Sequence, residues 1–321
     1  MAKAEPGAEF ALIGAHFAGL GAAREDVLLG VGDDCALLRV PPGQSLAVSL
    51  DTLVAGVHFF PDCDPHALGH KTLAVSLSDL AAMGAEPAWA TLALTLPASD
   101  PAWLAAFAAG LGELARAHGV RLVGGDTTRG PLTITLQLQG LVPPEAALRR
   151  DGACAGDRIW VSGTLGDAAL ALAELQAGRD PDAALRARLE RPTPRVALGR
   201  GLRGIASAAI DLSDGLAADL GHVLAASGVG AELRLDALPL GEAVAARADW
   251  SLALAGGDDY ELCFCAPPGR DGEILALGQR LGCRLTPVGT IRGDDDALRC
   301  LLPDGTVLNP TRRGYDHFAG A

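Results

Sequence analysis

Gly30-Val31-Gly32-Asp33-Asp34-Cys35-Ala36-Leu37-Leu38 is an acidic pair in a glycine-flanked turn, entered from the apolar run Val27-Leu28-Leu29 and left through another. Val27–Gly30 before it and Ser45–Leu50 after it read as strands, so the turn opens a sheet. Two adjacent carboxylates in a tight turn repel each other. A divalent cation would remove that cost, magnesium in particular, because it takes hard oxygen ligands. Plain turn chemistry is the other reading, since aspartate hydrogen-bonds its own backbone in turns.

Outward from this turn, Phe10–Phe17 reads as a short helix. Asp64-Pro65 is a helix start, with aspartate as N-cap and proline at the first position, and that helix runs to about Met83 and stops at Gly84. Ala88–Leu96 alternates as a strand. Ser99-Asp100-Pro101 caps a second helix ending near His118-Gly119, and Val120–Val123 and Leu132–Val142 are further strands. Pro143-Pro144 marks a boundary. Beyond it come a strand at 158–162, a helix at 167–177 and a polar connector at 179–194 with one short helix. A helix at 195–207, a strand at 208–212 and a helix at 215–226 follow. Strands at 231–235, 260–265 and 285–291 then precede a Pro303-Asp304-Gly305 hairpin. The expected fold class is α+β in two α/β domains. Residues 1–143 form a mixed or antiparallel sheet with helices on one face, and residues 144–321 pack helices on a second sheet.

With 321 residues, 49% of them hydrophobic, the chain can bury a large core. Its net charge of -13 argues against binding to a phosphate backbone. No signal peptide is visible, and Leu80–Leu96, the most apolar stretch, is broken by Glu86-Pro87 and too short and polar to span a bilayer. The seven cysteines (35, 63, 154, 263, 265, 283 and 300) include no Cys-x-x-Cys pair and fit reduced thiols in the cytoplasm. Cys263 and Cys265 share one face of a strand and read as core, as does Cys35.

Further acidic stretches carry the chemistry: Asp51 in Val48-Ser49-Leu50-Asp51-Thr52, Asp79 in Ser76-Leu77-Ser78-Asp79-Leu80, Asp126 in Gly124-Gly125-Asp126-Thr127-Thr128, and Asp211 with Asp214 in Ile210-Asp211-Leu212-Ser213-Asp214-Gly215. Each lies at the end of an apolar strand or within an apolar helix, where a charge is expected to be partly buried. Asp79 is the most telling, because aspartate is rarely buried unless paired or metal-bound. Lys3 and Lys71 are the only lysines, so pairing would fall to arginines or to shared metal ions. Asp214 reads equally well as a metal ligand or as the cap of the helix from Gly215. Several magnesium ions held by aspartates usually serve phosphoryl groups. Gly124-Gly125 and Ser162-Gly163-Thr164-Leu165-Gly166 are candidate close approaches to phosphate, and Arg129 and Arg150 candidate phosphate contacts. The P-loop, dinucleotide, H-E-x-x-H and EF-hand signatures are all absent, and His66 and His70 read as ordinary histidines.

Taken together, these stretches resemble the thiamine-monophosphate kinases, of the ATP-binding superfamily that includes aminoimidazole ribonucleotide synthetase. Seven motifs follow the family order: Gly32–Cys35, Asp51-Thr52-Leu53 with His58-Phe59, Ser78–Gly84, Gly125–Thr128, Asp211–Leu216, Gly256–Leu262 and Gly314-Tyr315-Asp316. The resemblance implies ATP-dependent conversion of thiamine monophosphate to thiamine diphosphate. It places magnesium on Asp34, Ser49, the Leu50 carbonyl, Asp51, Asp79, Asp126, Asp211 and Asp214, and ATP on Gly125, Asp126, Arg150 and Ser213. Thiamine monophosphate falls to His58, Asp258 and Tyr315. Catalysis then rests on Asp34, Asp79, Asp126 and Asp214. A homodimer formed through the N-terminal domains is also implied, with no nucleic-acid or membrane partner. Two departures stand out: Leu50 replaces a common threonine, and Asp258 replaces a glutamate. The acceptor is a phosphate monoester with a second pKa near 6, so no general base is needed and transfer should be direct and in line. Two rivals remain, a synthetase of the same superfamily acting on a purine-pathway amide and a non-catalytic magnesium-nucleotide sensor.

Overall fold

The computed structural model describes residues 8–247, 249–308 and 314–315. The chain forms two compact units, one of Met1–Leu80 with Glu86–Pro144, the other of Ala81–Ala85 with Glu145–Ala321.

The first unit runs α1 (Ala8–His16), β1 (Val27–Leu29), β2 (Leu37–Leu38), β3 (Ser45–Val54), α2 (Pro65–Ala82), β4 (Glu86–Leu96), α3 (Pro101–Ala117), β5 (Arg121–Arg129) and β6 (Thr133–Val142). Its four-stranded sheet has the order β3-β6-β4-β5, antiparallel except for β4 with β5. The parallel pair follows from α3, which returns the chain to the same sheet edge. The helix starts are those the sequence predicts: the Asp64 carboxylate accepts from the His66 and Ala67 amides, and Asp100 Oδ1 from those of Ala102 and Trp103. Gly84, at φ 64°, takes the left-handed exit from α2. The helices α2 and α3 cross closely, and a Cβ on Gly69 would lie 2.1 Å from the Phe107 carbonyl oxygen. They cover one sheet face, burying Leu92, Leu94, Ile134, Leu136 and Leu138. On the other face, the β1–β2 ribbon packs on Trp89 and Leu141, while Leu46, Val48 and Leu50 stand 46%, 54% and 58% exposed.

The second unit runs β7 (Arg158–Ser162), α4 (Asp167–Gln176), α5 (Ala183–Glu190), α6 (Val196–Gly201), β8 (Ala208–Asp211), α7 (Leu216–Ser227), β9 (Gly230–Arg234), α8 (Glu242–Ala245), α9 (Ser251–Ala255), β10 (Leu262–Ala266), α10 (Asp271–Leu281), β11 (Leu285–Arg292), β12 (Leu298–Leu301) and β13 (Val307–Leu308). Its seven-stranded sheet has the order β13-β12-β9-β11-β7-β10-β8, with β9 and β12 the parallel pair. Ile159, Val161, Ile210, Cys263 and Cys265 face a core with Leu216, Leu220 and Val223 of α7. In register on neighbouring strands, Trp160 and Phe264 stack, their ring centroids 6.3 Å apart.

The structure revises three local expectations. The strand from Arg121 does not end at Val123 but continues to Arg129, so Gly124-Gly125 lies inside a strand. The helix expected over 195–207 stops at Gly201, and a turn with Gly204 at φ 72° follows. Cys35 is exposed rather than core, as are Asp33 and Asp34 beside it in the acidic turn.

Candidate active site

Strand alternation sorts the acids of the first unit. Ser49 and Asp51 point toward α2, and Leu50 points to the opposite face. On α2, Ser76 and Asp79 lie three residues apart and share one side of the helix. The four side chains meet: Ser76 Oγ donates to Asp51 Oδ2 at 2.6 Å, and Ser49 Oγ donates to Asp79 Oδ2. Asp51 is half-buried, and burial pushes its carboxyl pKa up against the Ser76 hydrogen bond that lowers it. This is an all-oxygen cluster in which a carboxylate is costly to charge, and it fits a hard divalent cation.

The other predicted ligands of this unit are not part of the cluster. Asp126 pairs across the sheet with Ala93, which pairs with Thr135 and through it with Thr52. It therefore occupies the row of the sheet face opposite Asp51. Asp33, Asp34 and Asp126 are exposed, contrary to the partial burial expected of every acidic stretch. Asp34 donates its backbone N–H to Asp33 Oδ1 at 2.8 Å, which is the turn chemistry weighed for this pair. Gly125 is required by the sheet: it has φ 155°, and a Cβ there would lie 1.9 Å from the Leu92 carbonyl oxygen. In the loop after β3, the Val54 N–H donates to His58 Nδ1 at 3.0 Å, which leaves the imidazole proton on Nε2. Among the described residues, no three His, Cys, Asp or Glu side chains converge as a ready-made metal site.

In the second unit, three predicted segments come together. Asp258 N donates to Ser213 O at 2.9 Å, Tyr260 N to Leu212 O at 2.8 Å and Tyr315 N to Asp214 O at 3.1 Å. Asp211, Ser213, Asp214, Asp258 and Tyr315 thus belong to one patch, assembled by backbone bonds between three chain segments far apart in sequence. Close approach excludes a side chain at Gly257, where a Cβ would lie 2.5 Å from the Ser213 carbonyl oxygen. Arg150 is exposed, and its own carbonyl accepts from Ser227 Oγ. Asp316 lies outside the described residues.

The sequence reading missed the residues that hold this patch in place. The N-cap of α7 is Gly215, so Asp214 does not cap that helix through its side chain. Asp219, in the first turn of α7, accepts from the N–H groups of Asp214 and Gly215 at 3.1 and 3.0 Å. Its pKa rises to about 7, through burial first and the neighbouring Asp214 charge second. The only signal for it was its place four residues past a glycine at a helix start. Asp259 is buried and takes the Gly166 N–H on both oxygens, and burial pushes its carboxyl well up. Glu261 is fully buried and accepts from Ser162 Oγ, from two nitrogens of Arg195 and from Arg188 Nη2. A Cβ on Gly163 would lie 2.1 Å from its Oε1. The glycine loop at 162–166, a candidate for phosphate, thus already holds two carboxylates of the protein. Burial raises the Cys265 thiol to about 12 and the Cys263 thiol well above its ordinary value, in keeping with their expected core role.

Residues 32–142 match the family described as AIR synthase related protein, N-terminal domain, and residues 155–299 its C-terminal domain. Thiamine-monophosphate kinase from Salmonella typhimurium is 51% identical, the match covering 97% of this chain and 98% of that protein. The chain belongs to the thiamine-monophosphate kinase family. Within this family, the crystal structure of the Stenotrophomonas maltophilia enzyme aligns with a TM-score of 0.83 and 48% identity, covering 89% of this chain and 93% of that one. The structure of AaThiL complexed with AMPPCP and TMP aligns with a TM-score of 0.77 and 30% identity, covering 90% and 92%. The α+β fold with two AIR-synthase-type domains, expected from the motifs, is the fold of these kinases.

Proposed function

We propose that the protein transfers the γ-phosphoryl group of ATP to thiamine monophosphate, forming thiamine diphosphate and ADP. The observation that carries this is full-length kinship with thiamine-monophosphate kinases, one relative having been solved with AMPPCP and TMP. An oxygen of the acceptor phosphate forms the new bond to the γ-phosphorus. The bond from that phosphorus to the β–γ bridging oxygen breaks, and its electron pair leaves with ADP. Above about pH 6 the acceptor is mostly a dianion, so its nucleophilic oxygen carries no proton to remove. The remaining task is to align two anions, which is a matter of positioning and charge.

Ser49, Asp51, Asp79 and the Leu50 carbonyl of the first unit would hold magnesium, as would Asp211 and Asp214 of the second, while Asp34 and Asp126, outside that cluster, would hold it apart from them. When bound, magnesium neutralises phosphate charge and orients the γ-phosphoryl group. Gly125, Asp126, Arg150 and Ser213 would contact ATP. His58, with its proton on Nε2, Asp258 and Tyr315 would contact thiamine monophosphate. Asp219 supports the turn at Asp214-Gly215 by accepting from both of their backbone amides. The open face bearing Leu46, Val48 and Leu50 on an edge strand supports a homodimer through the first unit. Seven free thiols fit a reducing compartment, the cytoplasm, and no helix among the described residues is long and apolar enough to cross a membrane.

A substrate panel tests the reading. Thiamine monophosphate, thiamine and a purine-pathway amide are each incubated with ATP and magnesium, and products are separated by chromatography. Thiamine diphosphate from the first alone is expected. Turnover of the amide, or ATP binding without any product, would overturn the proposal.

A further inference from the structure

We propose that Tyr260 is a positioning residue that fixes the Asp258 carboxylate for thiamine monophosphate; this rests on the reading of Asp258 as a substrate contact. Among the described residues, Asp258 at φ 67° and Tyr260 at φ 48° are the non-glycine residues with left-handed backbone. For a residue as bulky as tyrosine that conformation is strained, and such strain persists where the surroundings impose it. Here they do. Asp258 N and Tyr260 N donate to the carbonyls of Ser213 and Leu212, and Leu212 N donates back to Glu261 O at 2.9 Å. Between them, the Asp259 carboxylate is tied to Gly166 N.

Glycine would adopt both conformations without strain. The chain keeps two side chains there instead, and they meet: Tyr260 Oη donates to Asp258 Oδ1 at 2.9 Å. Tyr260 is buried and Asp258 is partly exposed. A rigid ring, fixed at its base by the backbone, therefore carries a donor to a carboxylate that reaches the surface. A hydrogen bond to one carboxylate oxygen restrains rotation about the Cβ–Cγ bond and sets the plane in which the group accepts from a ligand. The strain and the hydroxyl serve one end, a preorganised carboxylate.

The test is the split between Michaelis constants in Tyr260→Phe, which keeps the ring and removes the hydroxyl. KM for thiamine monophosphate should rise about tenfold, as for loss of one hydrogen bond to a charged group, while KM for ATP stays within about twofold. Asp258→Asn should raise the same constant. Combined with Asp258→Asn, Tyr260→Phe should add no more than about twofold, because the two act as one unit. An unchanged thiamine monophosphate KM in Tyr260→Phe would overturn the positioning role. Equal rises in both constants, or loss of folding, would also overturn it, since the hydroxyl would then be structural. An unchanged KM in Asp258→Asn would remove its premise, and that failure is distinct because it leaves the kinase activity standing.

Discussion

Among the carboxylates withdrawn from water in this chain, two sets differ in what faces them. In the first unit, Asp51 and Asp79 meet the hydroxyls of Ser76 and Ser49. In the second, Glu261 meets two arginines and a serine, and Asp259 sits on a backbone amide beside Arg188. A hydroxyl satisfies a lone pair but leaves the negative charge in place. A guanidinium cancels it. The first set belongs to the magnesium site proposed above, and the second ties segments of the second unit together.

The largest effect expected from this contrast is in Asp79→Asn, which should lower the rate of thiamine diphosphate formation about a thousandfold with an unchanged thermal midpoint. Full activity would break the metal assignment. Glu261→Gln should act the other way round. It leaves two guanidinium groups short of their counter-charge and should cost about 3 kcal/mol in urea unfolding, with the magnesium dependence of the remaining activity unchanged. A shifted magnesium dependence there would erase the distinction between the two sets.

The contrast was only half legible in the sequence. Asp64-Pro65, Asp100-Pro101 and Gly84 announced the helix ends, because capping is a local matter settled within one turn. The acidic motifs likewise stood out against their apolar surroundings. What faces each carboxylate is a matter of tertiary pairing. Arg188 and Arg195 come from a stretch that read as a polar connector and its following helix, about seventy residues from Glu261. Asp126 appeared equivalent to Asp51, yet the register of β5 on β4 puts it on the other face. Gly163 looked like a phosphate loop and proved to make room for Glu261.

A smaller effect sharpens the comparison with an acid outside both sets. Asp26 accepts from Arg24 and from Trp89 Nε1 at 3.0 Å, and the Arg24 hydrogen bond leads the causes that hold its pKa below 3.8. A depressed folded-state pKa stabilises the charged form. Its contribution is therefore complete above pH 3.8 and is lost as pH falls through the lower folded value. Asp26→Asn should cost about 1 kcal/mol at neutral pH, and the difference from the parent protein should shrink below pH 3.8 in acid-unfolding curves. A difference that stays constant through that range would contradict the pairing.

The most direct measurement is phosphoryl transfer followed by 31P spectroscopy, with ATP and thiamine monophosphate mixed in equal amounts, first with magnesium and then with excess chelator. The expected result is that the thiamine monophosphate signal is replaced by the two resonances of thiamine diphosphate, in step with ADP, and only when magnesium is present. ADP accompanied by inorganic phosphate instead, or thiamine diphosphate formed equally in chelator, would contradict it.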